Sequence, residues 1–192
     1  AMNDLFAMGA EPKIALAIAT VPAMADALME DDLLQMMTGA VSVFSSHGVL
    51  LVGGHSAESS ELSIGFAVTG ASPEEPLLKS GMQVGNQLVL TKPIGTGVLL
   101  AGAMQGKTSA RDLMSSIEMM DQSNALAARI LRDHGVTACT DVTGFGLLGH
   151  LAEMCLGSSV SAVIHKESLP VLPGVKDYVA QDCIPGGTNR NW

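Results

Sequence analysis

Carboxylate and glycine residues stand together in the run Cys139-Thr-Asp-Val-Thr-Gly-Phe-Gly-Leu-Leu-Gly-His150. Its pattern predicts a strand end at 136–139, a tight loop at 143–146 and the start of an apolar helix at 147–154. Asp141 lies just before the loop, where its carboxylate is well placed to hold a cation, and free N–H groups at a helix start attract phosphate oxygens. The run therefore has the parts that a Mg²⁺-phosphate site needs.

A second glycine segment, Gly53-Gly54-His55-Ser56, follows the short buried-strand pattern at 49–52. The pattern predicts a turn between two strands. A turn that needs a positive φ at glycine explains these residues about as well as a ligand-binding loop does. A histidine in a loop is also more often structural than catalytic. Taken alone, the segment leaves both interpretations open.

Three further polar residues have an ordinary explanation when each is taken alone. Asp4 lies in a helix-like start, where an exposed acid is common. Lys92, before Pro93, is typical of a solvated charge at the start of a turn. His150 is more typical of packing or helix capping than of ligand binding. These residues predict a function only as members of larger motifs.

The segments around these residues predict both strands and helices. An apolar strand is predicted at 14–20, and apolar residues recur at helical spacing from Met24 to Phe44. Alternation predicts a half-exposed strand at 62–68. Later elements are predicted as strands at 87–91 and 160–164 and as helices at 98–104, 109–134 and 171–180. This mixture predicts an α+β fold.

A candidate linker divides the chain. The segment Ala71-Ser-Pro-Glu-Glu-Pro76 combines two prolines with two acids. We therefore expect two domains, at 1–72 and 77–192. Both look incomplete, because no strand precedes the helical pattern that ends at Gly9 and because the turn-rich tail at 185–192 adds no closing element.

The composition argues against several classes of protein. The chain has 192 residues, 47% of them hydrophobic, which is enough to bury a sizeable core. A net charge of −9 argues against a nucleic-acid partner, but not against a nucleotide held through Mg²⁺ and backbone amides. Three cysteines without Cys-x-x-Cys spacing favour the reducing cytoplasm over a disulfide framework or a zinc site. With no apolar run of about 18 residues, a membrane partner is not expected.

Four separated segments together resemble selenophosphate synthetase (selenide, water dikinase). They are Asn3 to Gly9, Leu51 to Ser56, Leu90 to Gly97 and Thr140 to Leu151. Their order and approximate spacing also match. The terminal Pro185-Gly-Gly-Thr188 with Arg190-Asn191 resembles the same family, so the resemblance covers essentially the whole chain.

The resemblance implies an enzyme that makes selenophosphate, AMP and phosphate from ATP, selenide and water. It also implies the two-lobed fold of aminoimidazole ribonucleotide synthetase, in which the N-terminal sheet forms a homodimer barrel and ATP lies between lobes and across the dimer interface. Carried over by position, Asp4 and Asp141 match ligands of Mg²⁺, and Asp4 also approaches the nucleotide. Gly54, His55 and Ser56 match the nucleotide contact contributed by the dimer partner.

Some parts of the family pattern have no match in the chain. The family has an N-terminal glycine-rich segment with a catalytic cysteine or selenocysteine and a nearby lysine, followed by further metal-binding aspartates. Cys139, Cys155 and Cys183 all lie in other segments. The end of the C-terminal lobe is unmatched too. We therefore predict a fragment that contains no catalytic residue of its own and is inactive alone.

Two alternatives stay open. Another member of the superfamily, such as a thiamine-monophosphate kinase, would also have a Mg²⁺-binding aspartate and glycine turns, although such members usually differ at the two glycine segments. A non-catalytic binding or dimerisation module is the other alternative. We expect the fragment to dimerise through the strands around Gly53 and at 62–68, because their alternating apolar residues would otherwise be exposed.

Overall fold

A computed structural model describes residues 1–72 and 75–191. The chain divides into two compact units, Ala1–Pro76 and Leu77–Trp192. The predicted linker at 71–76 includes residues 73 and 74, and the predicted tail includes residue 192; these three lie outside the described residues. The roles expected of the two domains stay predictions. Within the described residues, no helix is long and apolar enough to span a membrane.

The first unit is a three-stranded sheet with two helices. Its elements are α1 (Met2–Ala7), β1 (Glu11–Pro22), α2 (Asp26–Ser46), β2 (Leu50–Ser59) and β3 (Ser63–Ala71). The strand order is β2-β1-β3, with β1 parallel to β2 and antiparallel to β3. Parallel neighbours need a long crossover connection, and α2 is part of it. The strand predicted at 14–20 and the helix predicted from Met24 are confirmed, with shifted bounds.

One face of the sheet packs against α2. Ala15 of β1, Phe44 of α2 and Val49 form the buried core at this face. Phe44 meets Phe66 of β3 edge-on, with 5.1 Å between the ring centroids, an arrangement that aromatic pairs favour. The partly buried residues around this core include Met2, Ala40, Leu51 and Val68. The apolar stripe of α2 therefore covers a sheet.

The opposite face of the sheet, here called the outer face, is apolar and exposed. It comprises Ile14, Leu16 and Ile18 of β1, which are 40%, 47% and 62% exposed, and Leu50, which pairs with Ile14 from β2. Side chains of a strand alternate between the two faces, so these residues point away from α2. Contiguous exposed apolar surface of this kind is typical of interaction surfaces.

The turn predicted at Gly53-Gly54-His55-Ser56 is wrong. These residues lie inside β2 and pair with residues 16–19 of β1. A Cβ atom at Gly54 would come within 2.1 Å of the carbonyl oxygen of Ala17. Glycine in a strand often marks such a close approach of another backbone. The glycine therefore serves strand packing, where the sequence pattern had indicated a turn.

The second unit is mainly helical in its described residues. Its helices are α3 (Thr96–Met104), α4 (Ala110–Asp121), α5 (Ala125–Asp133), α6 (Gly146–Ser158) and α7 (Val175–Ala180), with 3₁₀ turns at Lys166–Ser168 and Thr188–Arg190. The buried core consists of Leu99, Leu172, Val175, Tyr178 and Cys183. Isolated parallel bridges join Leu78 to Ala138 and Ile94 to Val171.

The strands predicted at 87–91 and 160–164 are wrong. In the described part of the second unit, neither segment belongs to a ladder. A strand requires a neighbour that pairs with its backbone N–H and C=O groups. Apolar residues in both segments instead remain exposed, including Val89 at 72% and Val163 at 78%.

The single helix predicted at 109–134 is also wrong, because the chain forms α4 and α5 there. The ammonium group of Lys92 donates hydrogen bonds to the carbonyl oxygens of Met119, at 3.3 Å, and of Gln122. These bonds satisfy carbonyl groups at the end of α4 that have no helical partner. Burial lowers the pKa of Lys92. Its contacts support a structural role.

Candidate functional site

Asp141 begins the loop that leads into α6; residues 141–145 are called the Asp141 loop. The loop follows Cys139, whose N–H donates to the carbonyl oxygen of Leu78 at 3.0 Å. Asp141 is half-buried, and within the described residues no hydrogen bond or ion pair reaches its carboxylate. Burial, with the Asp141 charge as a lesser cause, raises the pKa of the Cys139 thiol. The carboxylate is thus able to accept a cation beside an unreactive thiol.

His150, in the second turn of α6, contacts the Asp141 loop directly. The residue is 5% exposed. Its Nε2 accepts a hydrogen bond from the backbone N–H of Thr143 at 3.1 Å and lies 3.2 Å from the Thr143 hydroxyl. Its Nδ1 lies 3.4 Å from a carboxylate oxygen of Glu153, which is 2.7 Å from the ammonium nitrogen of Lys79. The burial of His150 agrees with the packing role that the sequence favours.

A second contact to the loop comes from Asn191. Its side-chain amide donates to the carbonyl oxygen of Gly144 at 2.9 Å. The 3₁₀ turn at Thr188–Arg190 positions it, and the backbone N–H of Asn191 donates to the carbonyl of Gly187 at 3.1 Å. Sequence reasoning identified this segment as a family motif but missed its contact with the loop. The two partners are 47 residues apart, so no local pattern could reveal the pairing.

An open cavity of about 530 Å³ lies between the Asp141 loop and the turn that precedes Asn191. Its lining consists of Thr143, Gly144, Phe145, Gly187, Arg190 and Asn191. Arg190 brings a positive charge, and α6 begins beside the cavity without a side-chain cap. Uncapped N–H groups at a helix start attract anions. The arrangement suits phosphate oxygens, the ligand that the sequence predicts for this loop.

The other predicted site residues lie in the first unit. Asp4 is on α1 with 68% of its side chain exposed, and its carboxylate lies 3.4 Å from the amino nitrogen of Ala1. Gly54, His55 and Ser56 are exposed in β2, an edge strand. Alternation places His55 on the outer face and Ser56 on the opposite face. All four predicted site residues of this unit are therefore exposed to solvent.

The donors present suit a Mg²⁺ ion that is bound together with phosphate. Among residues 1–72 and 75–191, no three His, Cys, Asp or Glu side chains form a group that could hold a metal ion. Asp4 and Asp141 each offer one carboxylate. Mg²⁺ is commonly held by one or two carboxylates, with substrate phosphates and water completing its six ligands. A single carboxylate with phosphate and water is enough for that pattern, so each aspartate fits it by itself, and the role of each as a ligand stays a prediction.

Two family models match the chain. The N-terminal domain of AIR synthase related proteins matches residues 1–72, and the C-terminal domain matches residues 83–178. The chain belongs to the AIR synthase related family. Its mixed helices and strands are those of this family, so the predicted α+β fold class is confirmed.

Curated relatives of this AIR synthase related chain are selenide, water dikinases. The protein of Yersinia pestis is 42% identical over 193 residues, which cover 100% of this chain and 55% of the relative. That of Haemophilus influenzae is 40% identical, with 100% of this chain and 55% of the relative covered. The resemblance predicted from the motifs is confirmed. The chain spans about half the length of these relatives.

Solved structures also have this fold. Thiamine-monophosphate kinase from Stenotrophomonas maltophilia matches with a TM-score of 0.80 at 23% identity, over 99% of this chain and 62% of that one. A hydrogenase maturation protein, HypE, matches with a TM-score of 0.81 at 17% identity, over 96% of this chain and 58% of that one. At these identities the likeness concerns the fold alone. The homodimer barrel stays a prediction.

Proposed function

We propose that this chain supplies part of the active site of a selenide, water dikinase, which makes selenophosphate, AMP and phosphate from ATP, selenide and water. The observation that carries the proposal is the 42% identity, along the whole chain, to a protein of that name. Since the chain spans 55% of that relative, the proposal concerns the full-length protein. The full-length protein is a polypeptide that includes this chain and is as long as the relatives.

Asp141 and Asp4 are the proposed Mg²⁺ ligands. When bound, Mg²⁺ neutralises phosphate charge during transfer. The remaining task of the protein is to position the reacting groups. Asp141 is suited to this task because, in the described part of the chain, no hydrogen bond or ion pair reaches its carboxylate, while the loop that follows it is held by His150 and Asn191. Arg190 and the start of α6 face the same cavity and are suited to phosphate oxygens.

Gly54, His55 and Ser56 are the proposed contact to a nucleotide held across a homodimer. They lie in β2, an edge strand, and all three are exposed. An edge strand presents unpaired backbone N–H and C=O groups that can bind another molecule. The side chains of His55 and Ser56 add polar groups beside them. These features support a contact with ATP bound mainly by the other subunit.

The outer face supports a second copy of the chain as the partner. The sequence predicts the interface on the strands around Gly53 and at 62–68. Phe66 and Val68 pack against the core beneath α2, whereas Leu62 and Ile64 are 50% and 39% exposed. Apolar residues of β1 are exposed as well, such as Ile18, which is paired with His55. The proposed dimer surface is therefore continuous with the proposed nucleotide contact. Sedimentation of the full-length protein as a monomer at tens of micromolar, a rough working range for a standard interface, would contradict this.

Substitution of Asp141 by asparagine in the full-length protein tests the metal site. Removing a charged ligand weakens stabilisation of the transferring phosphate, and we expect selenide-dependent AMP formation to fall by about 100-fold or more. The measurement is AMP formation over a Mg²⁺ titration. Asp133→Asn, at an exposed position on α5, is the matched control. Unchanged turnover and Mg²⁺ dependence in Asp141→Asn would exclude the assignment.

The chain alone is expected to make no AMP, because phosphoryl transfer needs a complete charge-neutralising array. The test is incubation of the purified chain with ATP, Mg²⁺ and selenide, with AMP quantified against a protein-free blank. Selenide-dependent AMP above the blank would show that these residues suffice. The kinase alternative is tested by replacing selenide with thiamine monophosphate in the assay of the full-length protein. The fold shared with thiamine-monophosphate kinase does not by itself favour that activity over the proposed one.

A further inference from the structure

His150 is buried beside the proposed metal site, where it contacts the Asp141 loop. It is 5% exposed, and its ring lies 5.7 Å, centroid to centroid, from the ring of Phe145. In the described residues its Nδ1 has no partner in good hydrogen-bond geometry. A buried polar atom with poor hydrogen bonding costs free energy. An apolar side chain would fill the same space without that cost, so packing alone does not explain a histidine here.

The hydrogen bond at Nε2 determines which ring nitrogen carries the proton. The backbone N–H of Thr143 can only donate, and it lies 3.1 Å from Nε2. Nε2 must therefore present its lone pair, and in the neutral ring the proton is on Nδ1. The choice of tautomer is set by what each nitrogen contacts. An acceptor is thus directed at the backbone of the Asp141 loop.

Glu153 and Lys79 favour this tautomer. The Nδ1–H group lies 3.4 Å from a carboxylate oxygen of Glu153. Lys79 donates a hydrogen bond to the same oxygen at 2.7 Å and is the main reason that the pKa of Glu153 is lowered. The carboxylate therefore stays charged and attracts the proton at Nδ1. Because Lys79 is 74 residues from Glu153 in the sequence, the contact also ties the residue that follows the bridge at Leu78 to α6.

We propose that His150 is a positioning residue, whose Nε2 fixes the backbone at Thr143 and so directs the Asp141 carboxylate toward Mg²⁺. The inference rests on the proposed role of Asp141. Residues that orient metal ligands from outside the coordination sphere change metal affinity by about 10–100-fold when they are substituted. His150 acts in this way through the backbone of Thr143, which is two residues after the proposed ligand Asp141.

The tautomer itself is the first test, and it is independent of any activity. Nitrogen-15 NMR of the histidine-labelled full-length protein near neutral pH reports which ring nitrogen carries the proton. His150→Gln, which lacks the ring, identifies the signal. We expect a protonated Nδ1 and an unprotonated Nε2. A proton on Nε2 would overturn the inference, because the ring could not then accept from Thr143.

The second test compares two substitutions at His150. Glutamine can place its side-chain oxygen near the position of Nε2 and keep an acceptor, whereas leucine keeps bulk but cannot accept. We expect His150→Leu to raise the Mg²⁺ concentration for half-maximal AMP formation about tenfold, and His150→Gln to stay within about threefold. Mn²⁺ affinity in the presence of a non-hydrolysable ATP analogue, measured by water-proton relaxation, should fall more in His150→Leu than in His150→Gln. His134→Leu is the control, since His134 is exposed and its ring contacts the carbonyl oxygen of Ile130, four residues earlier at the end of α5.

The outcomes separate this inference from the proposed function. If Asp141→Asn raises the Mg²⁺ requirement but His150→Leu matches the wild type, the inference fails and the metal site stands. If Asp141→Asn has no effect, both fail. Should His150→Leu not fold, the wild-type tautomer and His150→Gln decide. A loss of Mg²⁺ affinity in His150→Gln equal to that of Asp141→Asn would contradict a role as acceptor.

Discussion

The two glycine segments that the sequence marks as ligand loops differ in what holds them. Gly53-Gly54-His55-Ser56 is part of strand β2 and is held by backbone pairing to β1. Among residues 1–72 and 75–191 the Asp141 loop has no strand partner, and it is held by the side chains of His150 and Asn191. A Cβ atom at Gly54 would overlap the backbone of Ala17, whereas one at Gly144 would meet nothing within 4 Å. Glycine thus has a packing role in the first segment, while in the second the neighbouring side chains matter more.

The largest expected effect comes from Gly54→Ala. The added methyl group would come within 2.1 Å of the Ala17 carbonyl oxygen, so β1 and β2 must separate. We expect the free energy of unfolding to fall by about 3 kcal/mol. Urea denaturation of the chain, followed by far-UV circular dichroism, measures the change.

Two other glycines, one in each glycine segment, are the controls for this substitution. A Cβ atom at Gly53 would lie at an ordinary 3.5 Å from the Leu16 side chain, and Gly144 has open space. Gly53→Ala and Gly144→Ala should each change the free energy of unfolding by no more than about 0.5 kcal/mol. If all three substitutions had equal effects, the contrast between the two segments would be wrong.

An intermediate effect is expected from Asn191→Ala, which removes the hydrogen bond to the Gly144 carbonyl. A neutral hydrogen bond contributes about 1 kcal/mol. Amide hydrogen exchange in peptides that cover residues 141–146 should therefore become about fivefold faster. Exchange in residues 53–56 should not change. Asn189→Ala, an exposed residue of the same turn, is the control, and equal acceleration by both variants would argue against the contact.

The smallest effect is expected from Glu153→Gln, and it should depend on pH. Lys79 lowers the pKa of Glu153 below its ordinary value of 4.5. A carboxyl whose pKa is lower in the folded state stabilises the fold above its unfolded value, and that stabilisation is lost as pH falls through the folded value. The variant should therefore unfold at slightly lower urea than the wild type at pH 7. Well below pH 4.5 the difference should vanish.

The control for this prediction is Glu118→Gln, at an exposed position on α4. It should show no such pH-dependent difference from the wild type. A Glu153→Gln difference that persisted unchanged at low pH would show that the carboxylate charge is not its cause. The effect should also be confined to the second unit, so that hydrogen exchange in β2 is unaffected.

Local patterns were sufficient for much of the fold. The spacing of apolar residues from Met24 to Phe44 predicts α2, because one face of a helix recurs every three to four residues. The compact run at 14–20 predicts β1. The loop between Asp141 and α6 was also predicted, since glycine, a carboxylate and an apolar helix start are adjacent in the sequence. In each of these cases the residues that determine the element lie within it.

The sequence by itself determined the family, the fold class and the position of Asp141 before a glycine loop. The tertiary structure decided where partners from distant segments meet. Segment 53–56 pairs with β1 as a strand, and the helix predicted at 109–134 is interrupted after Asp121, where Lys92 binds carbonyl groups at the end of α4. Asn191 likewise contacts Gly144, which is 47 residues away in the sequence, and Lys79 contacts Glu153, which is 74 residues away. Hydrogen bonds of this kind depend on distance in space, and local periodicity contains no information about them.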